Sequence, residues 1–357
     1  MMNEEPELVA PGIYRIASAI VNAYMIGYPG EEWVLVDTGL PFSAGQIKQA
    51  AEEVYGLDAK PAAIVLTHGH FDHAGSVVEL ADFWQVPVYA HPDEFPFLTG
   101  KSPYPPADPT VGGLGGQMSR FYSNSPVDIS KYLRPLPQDG SVPHRPLFKW
   151  IHTPGHTPGH ISLFRERDRV LVAGDAVVTM DQHNAAGLMG KHTGLYGPPE
   201  YFTPDWIAAL RSIDRLALLK PKVIATGHGK PLSYRGLSLD LVQFADKYMP
   251  PQDGRYIRQP AQFSEHGITS LPPKASDPLP KVAAGIGVGI LGLFAAWQAM
   301  RHNGHDKPKK AKKLVRAKTR RTSIELPWNK QMRKPIRKER FKPVSFNLAK
   351  RKKYSEE

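Results

Sequence analysis

Cysteine is absent from the 357 residues. That excludes a disulfide framework, a thiol nucleophile, an iron–sulfur cluster and Cys-ligated zinc, so any metal site must be built from His, Asp and Glu. No cleavable secretory leader is expected: Met1 to Ile20 carries Glu4, Glu5 and Glu7 and lacks a basic stretch followed by an apolar one. Hydrophobic residues make up 41% and charged residues 22%, ordinary values for a chain that buries a core. The net charge of +11 is unevenly spread. Residues 301–357 hold 21 Lys and Arg against 5 Asp and Glu, whereas residues 1–300 hold 24 against 29. A mildly acidic body therefore precedes a strongly basic tail.

Four domains or segments are expected. Residues 1–250 form the catalytic domain, 251–281 a Pro-rich linker, 282–300 an apolar helix, and 301–357 a basic, disordered tail. Within the body, short β-branched runs at Trp33–Asp37, Ala63–Thr67, Arg169–Ala173 and Lys222–Thr226 read as buried strands. Helical patterns lie between them, at Ala44–Tyr55, Ala74–Phe83 and Thr203–Leu219. Strand and helix in alternation imply α/β layers. Phe95–Tyr132 breaks the rhythm with Pro96, Pro103, Pro105, Pro106 and Pro109 and then a Gly112-Gly113-Leu114-Gly115-Gly116 run; carrying Tyr104, Phe121 and Tyr122, it reads as a lid or the wall of a substrate pocket.

Val282–Met300 contains no charge, and at ~1.5 Å rise per residue a helix of that length matches the ~30 Å hydrocarbon core. Gly285 and Gly289 make a GxxxG pair within it. With the polybasic run beside it, the expectation is a membrane-associated protein that meets anionic lipid and keeps its catalytic domain in the cytoplasm. A tail that binds nucleic acid non-specifically is the alternative partner.

The chemistry is concentrated in Thr67-His68-Gly69-His70-Phe71-Asp72-His73-Ala74-Gly75, between an apolar strand and a helical pattern. His68 and His70 are two residues apart, so in extended chain both imidazoles project the same way. Asp72 and His73 begin the next turn and face a second point. His156 lies in the rigid turn Thr153-Pro154-Gly155-His156-Thr157-Pro158-Gly159-His160, while Asp175 and His228 each follow a predicted strand through a glycine. α/β enzymes place their sites at such strand ends. Imidazole and carboxylate without thiolate suit Zn²⁺, with iron or manganese as the other options. His160 reads as a support for the Pro-Gly turn, His183 and His192 as candidates for the pocket wall, and His91, His144 and His152 as ordinary surface or core residues.

This pattern resembles the metallo-β-lactamase fold superfamily of metallohydrolases, in its glyoxalase II and lactonase-like branch. His68, His70, Asp72 and His73 correspond to its HxHxDH motif, and His156, Asp175 and His228 to its later His, bridging Asp and final His. The resemblance spans residues ~10–249 and implies an αββα four-layer sandwich with the site at one edge. It further implies two divalent ions: one on His68, His70 and His156, the other on Asp72, His73 and His228, with Asp175 bridging. They would share a hydroxide that attacks the substrate. Asp72 would orient that hydroxide or take its proton onward. Asp37 is similar to the family carboxylate that hydrogen-bonds a ligand His, a plain turn Asp being the alternative.

Within the superfamily, enzymes with a Cys ligand are excluded by composition, and flavodiiron proteins by His70 at their Glu position. Nucleases carry a large insertion that the 83-residue gap from His73 to His156 leaves little room for. Lactonases commonly place a Tyr three residues after the bridging Asp, where Val178 stands here. The resulting expectation is a dinuclear hydrolase of a small carbonyl ester, lactone or thioester. A phosphodiesterase or RNA-processing nuclease is the alternative, and a non-catalytic tether the third.

Overall fold

The computed structural model describes residues 5–277. Seven strands form the first sheet in chain order: β1 (Glu7–Ala10), β2 (Ile13–Ser18), β3 (Val21–Ile26), β4 (Val34–Val36), β5 (Ala63–Val65), β6 (Val88–Ala90) and β7 (Leu133–Pro135). The first four pair antiparallel and β4 to β7 pair parallel. Parallel pairing requires crossovers. The helices α1 (Ala44–Tyr55) and α2 (Val77–Trp84) supply the first two.

A second sheet is built from β8 (Ser141–Val142), β9 (Arg145–His152), β10 (Ile161–Arg165), β11 (Val170–Gly174) and a later strand, Val223–Thr226, which pairs parallel to β11. The helix Trp206–Leu218 makes that crossover, and a further helix, Leu237–Lys247, packs beside it. Asp205 caps the first of these, its carboxylate accepting from the Ala208 N–H at 2.9 Å.

The alternation of each strand explains the layering. In β4, Val34 and Val36 point between the sheets while Leu35 points at α1 and α2. In β11, Val170 and Val172 face the inter-sheet core, and Leu171 and Ala173 face the second pair of helices. Three apolar cores therefore separate four layers, as the period of two dictates. The outer core on the α1 side is anchored by Trp33, stacked on Tyr55 at 4.5 Å and edge-on to Trp84 at 6.0 Å. This is the αββα sandwich expected from the motif.

Phe95–Tyr132 folds into four short helical turns rather than open loop: Phe95–Leu98, Pro109–Val111, Gly113–Met118 and Ser119–Phe121. Tyr104 is buried there, whereas Phe121 is exposed.

Two expectations need correction. Residues 251–277, read as linker, pack on the body. Tyr256 and Ala261 are buried against Trp206 and Ala209. The Tyr256 hydroxyl donates to the Pro106 carbonyl at 2.8 Å, and the Ala261 N–H donates to that of Pro204 at 3.0 Å. A hairpin, Gln262–Ser264 with Gly267–Ser270, follows. Its Phe263 ring meets Phe97 edge-on at 6.2 Å. The high proline content reflects an irregular strap whose apolar side chains are spent on the domain surface, not a solvated spacer. The membrane-associated location is also withdrawn: among the described residues no helix is long and apolar enough to cross a membrane. The apolar stretch 282–300 and the basic tail 301–357, on which that expectation rested, lie outside the described residues.

If the strap is part of the domain, Tyr256→Ala should lower the unfolding free energy of the protein by about 2–4 kcal/mol in urea titration. A free linker would show no change.

Candidate metal centre

Every expected ligand sits where a strand ends. The segment after β5 carries His68, His70, Asp72 and His73; the turn between β9 and β10 carries His156; Asp175 follows β11, and His228 follows the strand Val223–Thr226. All seven side chains are buried, Asp72 alone reaching 8% exposure. Gly227 is needed here for close approach: a Cβ on it would stand 2.0 Å from Asp175 Oδ1 and 2.6 Å from the His73 ring.

The seven form two triads and a shared centre. Ligand atoms of His68, His70 and His156 lie within 4.8 Å of one another, as do those of Asp72, His73 and His228. His70 Nδ1 and His156 Nε2 approach to 3.0 Å. Asp175 Oδ2 stands between the triads, 3.4 Å from His156 Nε2, 3.5 Å from His73 Nε2 and 3.1 Å from His228 Nε2. His228 Nε2 is also 3.5 Å from Asp72 Oδ2.

Hydrogen bonds on the outer ring nitrogens set three tautomers. His228 Nδ1 donates to the Ile20 carbonyl at 2.7 Å, which can only accept. His73 Nδ1 donates to Asp37 Oδ2 at 2.8 Å. Thr67 Oγ1 donates to the same Asp37 oxygen at 2.7 Å, so at 3.0 Å it accepts from His68 Nδ1. In their neutral form all three rings thereby present a bare Nε2 inward, the arrangement that metal-binding histidines require. Asp37 is no plain turn residue. Its Oδ1 also accepts the Thr67 N–H at 2.7 Å, and its backbone takes the left-handed conformation with φ of 60°, which Asp tolerates.

The donors fit a pair of cations on a direct test. Among the buried side-chain atoms without a hydrogen-bond partner are His68 Nε2, His73 Nε2 and Asp175 Oδ1. Such groups are rarely left unsatisfied without a reason. Electrostatics agree. Burial, then the neighbouring imidazoles, holds His68 and His156 well below the ordinary histidine value and His70 at about 3, so their lone pairs are free. For His73, burial pulls the pKa down, but Asp175, Asp37 and Asp72 outweigh it and raise it well above normal. His228 is raised by Asp175 and Asp72 against the same desolvation. Burial pushes Asp175 up, yet His228 and His73 hold it well below the usual carboxylate range. The second triad is thus an anionic pocket that retains positive charge.

His160 supports the site from outside. It donates from Nδ1 to Thr153 Oγ1 at 2.8 Å and accepts the Asp175 N–H on Nε2 at 2.9 Å. The other histidines stay outside the two triads; of the two pocket-wall candidates, His183 lines the cleft that also holds Met180 and Tyr196, and His192 is in neither cleft lining. His183 and His192 are exposed beside Asp181, with His183 also pairing with Glu200 at 3.2 Å. His144 faces Glu32, while His91 and His152 stack on each other at 4.1 Å. Two structural partners escaped sequence reasoning: Thr67, hidden as an ordinary strand-end residue, and Glu94, which no motif marks.

Beside the first triad lies a cleft walled by Tyr104, Pro105, Pro106, Phe202, Pro204 and Tyr256, with the Phe202 ring stacked on His70 at 4.6 Å. A neighbouring cleft is lined by Met180, Tyr196 and Tyr201 among others, and neither lining includes Lys or Arg.

Comparison with known proteins agrees with this architecture. Residues 19–228 match the family model of the metallo-beta-lactamase superfamily. The chain is 46% identical over 241 residues to the probable metallo-hydrolase YflN of Bacillus subtilis (strain 168), covering 67% of this chain and 91% of that protein. It is 29% identical over 206 residues to the probable metallo-hydrolase YybB of the same organism, covering 57% and 79%. Over 156 residues it is 24% identical to the hydroxyacylglutathione hydrolase GloC of Haemophilus influenzae, covering 44% and 66%. The chain belongs to the metallo-beta-lactamase superfamily and is a metal-dependent hydrolase.

Asn also tolerates the left-handed backbone, so Asp37→Asn isolates the carboxylate charge and its acceptors. It should weaken Zn²⁺ retention roughly 10–100-fold in competition with a chromophoric chelator. Wild-type retention would remove the role assigned to Asp37.

Proposed function

We propose that this metallo-beta-lactamase superfamily member hydrolyses a small carbonyl ester, lactone or thioester at a pair of divalent ions, with zinc as the native metal. The observation that carries the reading is the central position of Asp175 between the two triads, beside clefts walled by aromatic and proline side chains.

In this reading His68, His70 and His156 hold one ion, Asp72, His73 and His228 hold the other, and Asp175 is shared. When bound, such a pair activates a water near neutral pH, polarises the scissile carbonyl and stabilises the leaving atom. Asp72 orients the attacking water and accepts its proton, being the most solvent-exposed of the site carboxylates. Asp37 and the Ile20 carbonyl keep His73 and His228 turned inward through the reaction.

The Tyr104 hydroxyl is not free to polarise substrate. It donates to Glu94 and accepts the Gly69 N–H at 3.0 Å. Tyr104 and Phe202 instead add apolar ring surface to the cleft wall beside His70. Both linings lack Lys and Arg and are rich in aromatic and proline side chains, which suits an apolar acyl group. The likeness to a hydroxyacylglutathione hydrolase supports thioesters within the class.

Substrate profiling tests the reading. At least one of p-nitrophenyl acetate, a homoserine-type lactone and lactoylglutathione should be turned over with kcat/KM about 100-fold or more above bis-p-nitrophenyl phosphate. Chelator should abolish that activity and Zn²⁺ restore it; exclusive phosphodiester turnover overturns the proposal. Separately, Asp175→Ala should reduce turnover by about 100-fold or more with the far-UV circular dichroism unchanged. Near-normal kinetics would remove Asp175 from the centre.

A further inference from the structure

Glu94 lies outside the seven ligands and is fully buried. It ends the short turn Pro92–Glu94 after β6. A carboxylate in that position is expensive unless its oxygens are occupied, and both are. Oε1 accepts from Thr157 Oγ1 at 2.6 Å and from the Gly159 N–H at 2.9 Å. Oε2 accepts from the Gly69 N–H at 3.0 Å and from the Tyr104 hydroxyl.

The identity of those donors matters. Gly69 separates His68 from His70, and Thr157 follows His156 directly. One carboxylate therefore fastens together the two chain segments that carry the whole first triad. Gly69 is required for the approach, since a Cβ there would sit 2.5 Å from the Tyr104 hydroxyl oxygen. The second triad is held by other means, Asp37 on His73 and the Ile20 carbonyl on His228.

We propose that Glu94 is a positioning residue that sets the spacing of His68, His70 and His156, and so the affinity for the ion they hold, without touching ion or substrate. The inference rests on the two-ion reading above. All four of its partners are donors, which makes charge and acceptor capacity separable from size. Glu94→Gln replaces one oxygen by an NH₂ group, so whichever way the amide turns, the Gly69 or the Gly159 N–H faces another donor. The change is confined to one triad, and so should be its effect.

Co²⁺ titration of the metal-free, full-length protein, followed by visible absorption and elemental analysis, reads each ion separately. The wild-type chain should take up two. Glu94→Gln should keep one at wild-type affinity and bind the other roughly 10–100-fold more weakly, with unchanged far-UV circular dichroism. Two ions at wild-type affinity overturn the proposal, and so does equal weakening of both, which would indicate general loosening. If Glu94→Gln does not fold, Thr157→Val decides: it removes one donor and leaves the charge with three. A several-fold loss at a single ion then supports the proposal, and no loss overturns it. Fewer than two ions on the wild-type chain would count against the two-ion reading instead. Glu94 would still be judged by whether its substitution weakens the ion that remains.

Discussion

A carboxylate with essentially no access to water, Asp175, is the constraint around which this domain is arranged. Left alone, its charge would be neutralised by a proton. Three imidazoles approach one of its oxygens within 3.5 Å, while the other oxygen is buried without a hydrogen-bond partner. Such an oxygen calls for a cation. The surrounding histidines divide the work: those of the first triad are kept neutral by burial, while those of the second share their space with Asp72 and Asp37 and favour positive charge.

The sandwich delivers these groups without any one element carrying them all. Each sheet contributes parallel strands whose ends project toward the same edge, and the ligands follow β5, β11 and the strand Val223–Thr226. The inter-sheet core of Val34, Val36, Val65, Val170 and Val172 sets how the two groups of strand ends sit relative to each other. Packing of this density is intolerant of sliding. Precision at the site is therefore inherited from β-branched residues that touch none of the ligands.

Much of this was legible beforehand because it is local. The spacing of His68, His70, Asp72 and His73 after an apolar strand is a pattern within six residues, and the unbroken apolar runs of β4 and β11 mark strands buried on both faces. Glu94 was not legible, because its meaning comes from Gly69, Thr157 and Gly159, residues that only the fold brings to it. The strap of residues 251–277 misled for a related reason. Proline density suggested a spacer, yet a few well-placed apolar groups, Tyr256, Ala261 and Phe263, were enough to lay it against the body. Composition averages over the few contacts that decide such cases.

The attachment of His228 to the β2–β3 hairpin carries a consequence for how the protein is made. Asn22 donates from its side chain to the Thr226 and Gly229 carbonyls at 2.8 and 2.7 Å, Tyr24 donates to Thr226 at 2.7 Å, and the Ile20 carbonyl takes the His228 N–H. These contacts join parts of the chain about 200 residues apart. During synthesis, at about 5–20 residues per second, the triad ending at His156 has all its members several seconds before His228 leaves the ribosome. A nascent chain thus passes through an interval when one half of the centre can be assembled while the other has no final member. Asp175, which stands against both triads, gains its His228 neighbour only at the end of that interval.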